Sequence, residues 1–370
     1  MHGFFETDIL SDMQKPFYVK VLLVATLLLG INAFAQEKDH SSSEEKGSLK
    51  TEIKEFIGHH LLDSHDFNLF TIDEENNEHV GFPLPVILWD NGLKLFSSSK
   101  FHHGESVAEV DGNYYALYHG KILKTDAEGT INYDEAHHAT NAKPLDFSIT
   151  KNVVFIFLVA ALMLFLFARM AKSYKTTAMP KGIGRLLEPI ILYIRDDIAI
   201  PNIGKKHYKK YMSYLLTVFF FIWIINLLGL TPLGVNVTNN IAVTFALAIL
   251  TYLITTFTAN RNYWKHIFWM PDVPVFMKIV LAPIELLGTL IKPFSLMIRL
   301  YANITAGHVV LMSILGMMFI FKNWIGSPLS FGLAFALSLL ELLVAALQAY
   351  IFTMLSALYF GSAVEEHHDH

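Results

Sequence analysis

The stretch Pro283–Phe321, PIELLGTLIKPFSLMIRLYANITAGHVVLMSILGMMFIF, is almost wholly apolar, yet it carries Glu285, Lys292, Arg299, Asn303 and His308. An arginine at the centre of a bilayer costs about 2.5–3.5 kcal/mol even on the mild insertion scale, so a chain that keeps one there has a use for it. Glu285, Lys292, Ser295, Arg299 and Asn303 follow at intervals of 7, 3, 4 and 4, which strings them along one side of a helix. His308, nine residues beyond Arg299, falls on roughly the opposite side.

The stretch is also too long to stand upright. As one helix it would extend about 58 Å, against a hydrocarbon core of about 30 Å. The next apolar segment, Pro328–Phe360, would extend about 50 Å. It opens with Ser327 as N-cap and Pro328 at the first helical position, a strong start signal. Pro293 is expected to kink or start the first helix and so shorten it. Two over-long helices joined by a short turn predict a hairpin lying steeply tilted in the membrane. The midpoint between His308 and Glu341 falls at Trp324/Ile325, inside the turn, so an antiparallel pair holds those two residues at one height. The same fold lays Arg299 on Tyr350, with Gln348 two residues away. Each polar residue alone also reads as a satisfied interior group; the coincidence of two pairings about one turn favours a working site.

At this point the strings carry a resemblance. PFSLMIRLYANITAGHVV followed by ELLVAALQAYIFTMLSALYF closely resembles subunit a of the F-type ATP synthases, the membrane stator beside the rotating c-ring. NLLGLTP (Asn226–Pro232), TNNIAVT (Thr238–Thr244), IRDDIAIPNIG (Ile194–Gly204) and an IGHHL patch (Ile57–Leu61) extend it. The resemblance implies a proton-conducting stator subunit of the Fo sector, with two half-channels that meet the ring carboxylates at different points and couple proton flow to rotation. Arg299 would face those carboxylates. Glu341, His308 and Asn240 would line the path from outside and Glu285 the path to the cytoplasm, with Asn303 and Gln348 also on the proton path and Arg299 between the two. The implied partners are the c-ring, the peripheral-stalk subunit b, the F1 sector indirectly and the lipid bilayer. In many members an acid stands where His308 stands and a histidine where Glu341 stands, so this chain exchanges the two types. A histidine in the path favours protons over sodium ions.

No G-x-x-x-x-G-K-[ST] string occurs, so no P-loop nucleotide site is expected. The chain is not expected to be a catalyst by itself, and neither a cofactor, a metal nor nucleic acid is implied. A secondary transporter would also bury Arg, Glu and His, but it would show internal repeats and broken helices. A membrane sensor with an outer binding domain would account for residues 62–142, but not for the polar hairpin.

The rest of the chain fits the bilayer reading. It has 370 residues, 53% of them hydrophobic and only 16% charged, with no cysteine for disulfide or thiol chemistry; this is a membrane-protein profile. Residues 13–36 read as a secretory signal with Ala33-Phe34-Ala35 as the cleavage site, and the acidic Glu6, Asp8 and Asp12 before it place the natural start at Met13. The expected domains are thus a signal peptide (1–35), an extracytoplasmic region (36–150) and a membrane domain (151–370). Within the second, TEIKEFIGHHLLDS reads as a short helix, and Leu69–Tyr133 as a small β meander with turns at Asn91-Gly92, Asp111-Gly112 and His119-Gly120. Its histidines, His79, His102, His103, His119, His137 and His138, match no metal-ligand spacing and read as loop residues.

The membrane domain opens with VVFIFLVAALMLFLFARM as one span. The basic loop after it, from Lys172 to Lys210, marks the cytoplasmic side of a bacterial inner membrane and sets the N-terminal region outside and the C-terminus in the cytoplasm. IGRLLEPIILYIRDDIAI within that loop reads as an amphipathic surface helix. Tyr211–Leu230 and Ile241–Thr258 are two further spans, with Asn239 and Asn240 at the turn between them. The fold class expected is therefore an all-α polytopic membrane protein with five crossing helices, a tilted C-terminal hairpin, one amphipathic helix and a small β-rich extracytoplasmic domain.

Overall fold

The computed structural model describes residues 63–73, 78–104, 106–134, 138–174, 182–231, 235, 237–270, 273–320 and 326–365. The signal sequence, the start at Met13, the short helix with its IGHHL patch up to residue 62, His137, the hairpin turn and the tail beyond Glu365 lie outside the described residues.

The β-rich part forms three small antiparallel sheets where the sequence predicts one meander. Strand β1 (Asp66–Asp73) pairs with β2 (Glu78–Pro83). Strand β3 (Pro85–Trp89) lies between β4 (Leu93–Ser97) and the two-residue β8 (Leu145–Asp146). Strand β6 (Asn113–Tyr118) lies between β5 (Ala108–Val110) and β7 (Lys121–Thr125). All three predicted turns close hairpins. Asp111 and Gly112 have φ of 51° and 73°, His119 and Gly120 47° and 73°, and each pair bridges directly opposed residues, Val110/Asn113 and Tyr118/Lys121. Two left-handed residues in a two-residue loop match the right-handed twist of the strands they join. Val86, Leu88, Phe96, Phe101, Ala108, Tyr115 and Ile122 form the core beneath. At its edge Asp90 accepts from Lys124 Nζ (2.7 Å) and from Tyr115 Oη (3.0 Å). The Lys124 contact holds the Asp90 carboxyl below its ordinary range, and burial followed by the Asp90 contact pushes the Tyr115 phenol up to about 12. The Asp90 contribution is therefore complete at neutral pH and is lost as pH falls through the lowered value.

Strand β8 continues as extended chain, with Phe147 N donating to Ile87 O and Ile149 N to Pro85 O, and then enters α1 (Lys151–Tyr174). Asp63 fastens this junction: its carboxylate accepts from Asn152 N and from Asn240 Nδ2, both at 3.4 Å.

The remaining helices are α2 (Ile183–Tyr193), α3 (Tyr208–Gly229), α4 (Ile241–Thr258), α5 (Arg261–Phe268), α6 (Val275–Ile320) and α7 (Gly326–Val364). Helix α2 runs on through a π-helical stretch (Ile194–Ala199) and a closing turn (Ile200–Ile203). Leu187, Ile194, Ile198 and Ile203 form its buried stripe, opposite exposed Asp196 and Asp197, as an amphipathic helix requires. Helices α1, α3, α4 and α7 are each long and apolar enough to cross a membrane. Helix α6 adds a further apolar stretch: its last twenty residues, from Tyr301, contain no Asp, Glu, Lys or Arg.

Three expectations need correction. Helix α6 is not shortened by its prolines: it runs 46 residues from Val275, with Pro283 and Pro293 inside. In hydrocarbon no water competes for the backbone, so continuing the helix costs less than stopping it. Helix α7 begins at Gly326, so Ser327 and Pro328 occupy its first turn, with Ser327 inside the helix and not as its cap. Between α4 and α6 stands the short helix α5, and α6 starts at Val275, eight residues before the expected Pro283.

Helix α7 packs against α3 and α6 through small residues. Ala345, Ala349, Ser356 and Ala357 are buried, and Tyr211 of α3 stacks on Phe360 at 4.5 Å. Small side chains let helix backbones approach closely where no hydrophobic effect drives them together.

Candidate functional site

The α6–α7 hairpin brings together one of the two pairs that the turn midpoint gives, His308 with Glu341; Tyr350 faces Tyr193 instead, at 6.3 Å between ring centres, and Gln348 meets Asn303. Asn303 Nδ2 donates to Gln348 Oε1 at 3.0 Å. His308 and Glu341, both buried, line one cavity of about 360 Å³ together with Asn303, Gln348, Asn226 and Gly307. Gly307 makes the space for the carboxyl group: a Cβ there would stand 3.0 Å from Glu341 Oε1. Neither buried carboxyl oxygen accepts a hydrogen bond among the described residues. A buried carboxyl without a fixed partner is free to take a proton from water entering a space of this size and to pass it on.

Asn226 and Gly307 belong to this site without having been singled out. Asn226, in the NLLGLTP string near the end of α3, accepts from Thr238 Oγ1 at 2.9 Å, while its buried amide nitrogen donates to nothing among the described residues. An Asn inside an apolar helix was the available signal. Asn240 lies elsewhere. Its side chain caps α4, accepting from Ala242 N at 2.9 Å, and reaches Asp63; it is not among the residues lining the cavity. Its neighbour Asn239 is the one that touches α6, through Thr305 Oγ1.

Glu285 and Lys292 line a second cavity, of about 160 Å³, with Asn262, His266, Ser362 and Glu365. Lys292 Nζ also sits 5.5 Å from the Tyr359 ring centre. Arg299 lies on α6 between the two cavities. It is half-buried, with Ser295, Ile298 and Ala302 exposed beside it, and it makes no hydrogen bond or ion pair among the described residues. An unpaired guanidinium among exposed, uncharged side chains is a cation waiting for an anion. The predicted site residues thus fall into three places: His308, Glu341, Asn303 and Gln348 at one cavity, Glu285 at the other, and Arg299 between.

A family model described as "ATP synthase A chain" matches residues 153–361, more than half of the chain and all three places. A second, described as a domain of unknown function (DUF8433), matches residues 56–147 and so takes in the β sheets together with the IGHHL patch. ATP synthase subunit a of Chloroherpeton thalassium is 43% identical over 233 residues, 61% of this chain and 69% of that one. The Myxococcus xanthus subunit a is 42% identical over 232 residues, 61% and 76% of the two chains. ATP synthase subunit a 2 of Prosthecochloris aestuarii is 37% identical over 298 residues, 76% of this chain and 90% of its own length, a match reaching well beyond the helices. The bilayer helices, the polar hairpin and these relatives agree: the chain belongs to the ATP synthase A chain family.

Proposed function

We propose that this multi-pass protein of the bacterial inner membrane conducts protons for the Fo sector through two separate cavities, and that the c-ring covers the exposed α6 face around Arg299. The observation that carries this reading is the position of an unpaired Arg299 between two polar cavities on one helix. Arginine stays protonated at any working pH, so it cannot relay a proton. It can pair with a passing carboxylate, and its fixed charge repels a proton that would leak directly between the cavities. His308 and Glu341 would serve the outside path, with Asn303, Gln348 and Asn226 orienting water there. Glu285 would serve the cytoplasmic path, and Asn240 would hold the outer end of α4. Subunit b, and through it the F1 sector, are further partners, with the N-terminal region outside and the C-terminus in the cytoplasm. Residues 1–35 would be removed as a signal peptide, leaving an outer region to about residue 150 and the membrane domain after it.

Cross-linking tests the ring assignment. The chain has no cysteine, so Ala302→Cys and Ala306→Cys, both on the exposed α6 face, should form disulfides with cysteines on the outer helix of the ring. Leu164→Cys on α1, also exposed, should not. Adducts from α1 alone would place the ring elsewhere.

The pairing of His308 with Glu341 is testable on its own. His308→Glu leaves two acids in one cavity that resist joint ionisation, and Glu341→His leaves two imidazoles without a carboxylate. Each should lose most proton pumping, while the double exchange should recover part of it, as a double-mutant cycle would measure. A double variant no better than the poorer single would dissolve the pair.

A further inference from the structure

The outer face of the β4-β3-β8 sheet departs from the usual pattern. An antiparallel sheet with one face on a core shows polar residues on the other. Here the inward residues, Val86, Leu88 and Phe96, are buried in the domain core. The outward positions alternate with them and are Pro85, Ile87 and Trp89 on β3, Leu93, Leu95 and Ser97 on β4, and Leu145 and Phe147 at β8 and just after it. No charged residue stands on that face. Leu95 is 66% exposed, Phe147 64%, Leu93 63%, Leu145 61% and Trp89 54%. These side chains adjoin across the strands, since Trp89 pairs with both Leu93 and Leu145, and Ile87 pairs with Leu95. Scattered exposed leucines need no explanation, but a contiguous uncharged sheet face needs an occupant.

The chain path identifies that occupant. Phe147 and Ile149 are hydrogen-bonded to β3, and two residues after Ile149 the chain enters α1, a helix long and apolar enough to cross the membrane. Extended chain covers about 3.3 Å per residue, so Phe147 stands within about 13 Å of the first residue of α1. The apolar face is therefore continuous with α1, whose own Phe157, Leu158, Leu164 and Phe165 are exposed. Both surfaces belong at the same bilayer. The junction is also held: Asp63 ties the start of α1 to the start of α4, His65 Nε2 bonds Asp146 Oδ2 at 3.0 Å, and Lys151 N donates to Ser64 O at 2.8 Å. A sheet fixed this close to the headgroups cannot lift its face far from them. Trp and Phe together with Leu are the side chains that settle in the interfacial layer, where tryptophan finds both apolar contact and a partner for its N–H.

We infer that the Trp89/Leu93/Leu95/Leu145/Phe147 face of the β4-β3-β8 sheet is a lipid-binding surface that rests in the interfacial layer of the bilayer beside α1. It requires α1 to cross the membrane, and it does not depend on the roles given to Arg299 or to either cavity. The domain is then a float clamped to the bilayer, which would hold the outer ends of α1 and α4 at a set depth.

The test uses the assembled ATP synthase in lipid nanodiscs. Leu95→Cys, and separately Ser97→Cys as a smaller change on the same face, is labelled with a nitroxide, and the signal of the unsubstituted complex is subtracted. Glu128→Cys, exposed in the loop after β7, is the solvent control. Collision with oxygen, which partitions into lipid, is compared with collision with a water-soluble nickel chelate. The expected result is an oxygen-to-nickel accessibility ratio at Leu95 and Ser97 several-fold above that at Glu128. A ratio equal to the control would mean that the face is solvated and would overturn the proposal. Protection from both relaxants would overturn it too, since it would mean that protein covers the face, whether another subunit or the chain's own N-terminal residues. The cross-links from Ala302 and Ala306 would be unaffected in either case.

Discussion

Replacing Arg299 with alanine is expected to abolish ATP-driven proton pumping while leaving the complex assembled. The guanidinium makes no hydrogen bond or ion pair among the described residues, so its removal strands no buried partner. Removal also lifts an arginine worth about 2.5–3.5 kcal/mol out of an apolar helix; the fold should tolerate the change or gain from it. What disappears is the fixed cation between the cavities, which in the proposed mechanism is both the counter-charge for a ring carboxylate and the barrier to leak. Dye quenching in inverted vesicles should fall to background, with the subunit present at its normal level on a native gel. Arg299→Lys should not restore the rate, because an ammonium lacks the planar fork and loses its proton more readily when desolvated. An alanine variant that pumps normally would end the assignment of Arg299.

The second large effect concerns the fold. Gly361→Ala is expected to remove most of the subunit, and with it the complex, from the membrane. A Cβ at Gly361 would lie 1.9 Å from the carbonyl oxygen of Asn202 and 3.0 Å from its carbonyl carbon. Both obstacles are backbone, which cannot rotate aside as a side chain can. The segment that would have to move is also tied, since Asn202 Nδ2 donates to Ile198 O at 2.7 Å and approaches Met354 Sδ at 3.4 Å. Overpacking a core usually costs about 1–3 kcal/mol; a clash of backbone on backbone between α7 and the closing turn after the π-helical stretch should exceed that range. Gly332→Ala on the same helix is the control. A Cβ there meets nothing within 4 Å, and alanine is the better helix former, so that variant should accumulate normally. Equal membrane levels of the two variants would show that the close approach is not needed.

The hairpin register was legible because two helices of equal rise, folded about one turn, pair residues whose numbers sum to a constant. Counting from Trp324/Ile325 puts His308 opposite Glu341, and both line one cavity; the same count puts Asn303 opposite Ala346, and its bond goes to Gln348, two residues on. The hairpin turns of the β part were legible for a local reason as well, since Asp-Gly and His-Gly supply the two left-handed residues that such loops need. Contacts that depend on a third element were not legible. Asn226 meets Thr238 across a turn that no periodicity describes, and the role of Gly361 depends on where a different helix crosses it. Strand β8 has two residues and follows β7 after a long connection, so only its partner β3 makes it a strand. The prolines misled because rules for helix ends come from chains in water, where a broken hydrogen bond finds a substitute.

The length of α6 bears on more than packing. Large apolar side chains are exposed along it from Phe276 to Met317. Its 46 residues measure about 69 Å, more than twice a hydrocarbon core of about 30 Å, so the helix tilts as it crosses. Glu285 and His308, about 34 Å apart along the axis, are then displaced sideways as well as in depth. Where a c-ring covers this helix as proposed, position along α6 becomes in part position around the circumference of a rotor, and the spacing of its polar residues becomes an arc. The arc would not be set by the chain alone: a thinner bilayer lays a tilted helix flatter and would widen the gap between the two cavities, so the angle between loading and release would depend on the lipids around it.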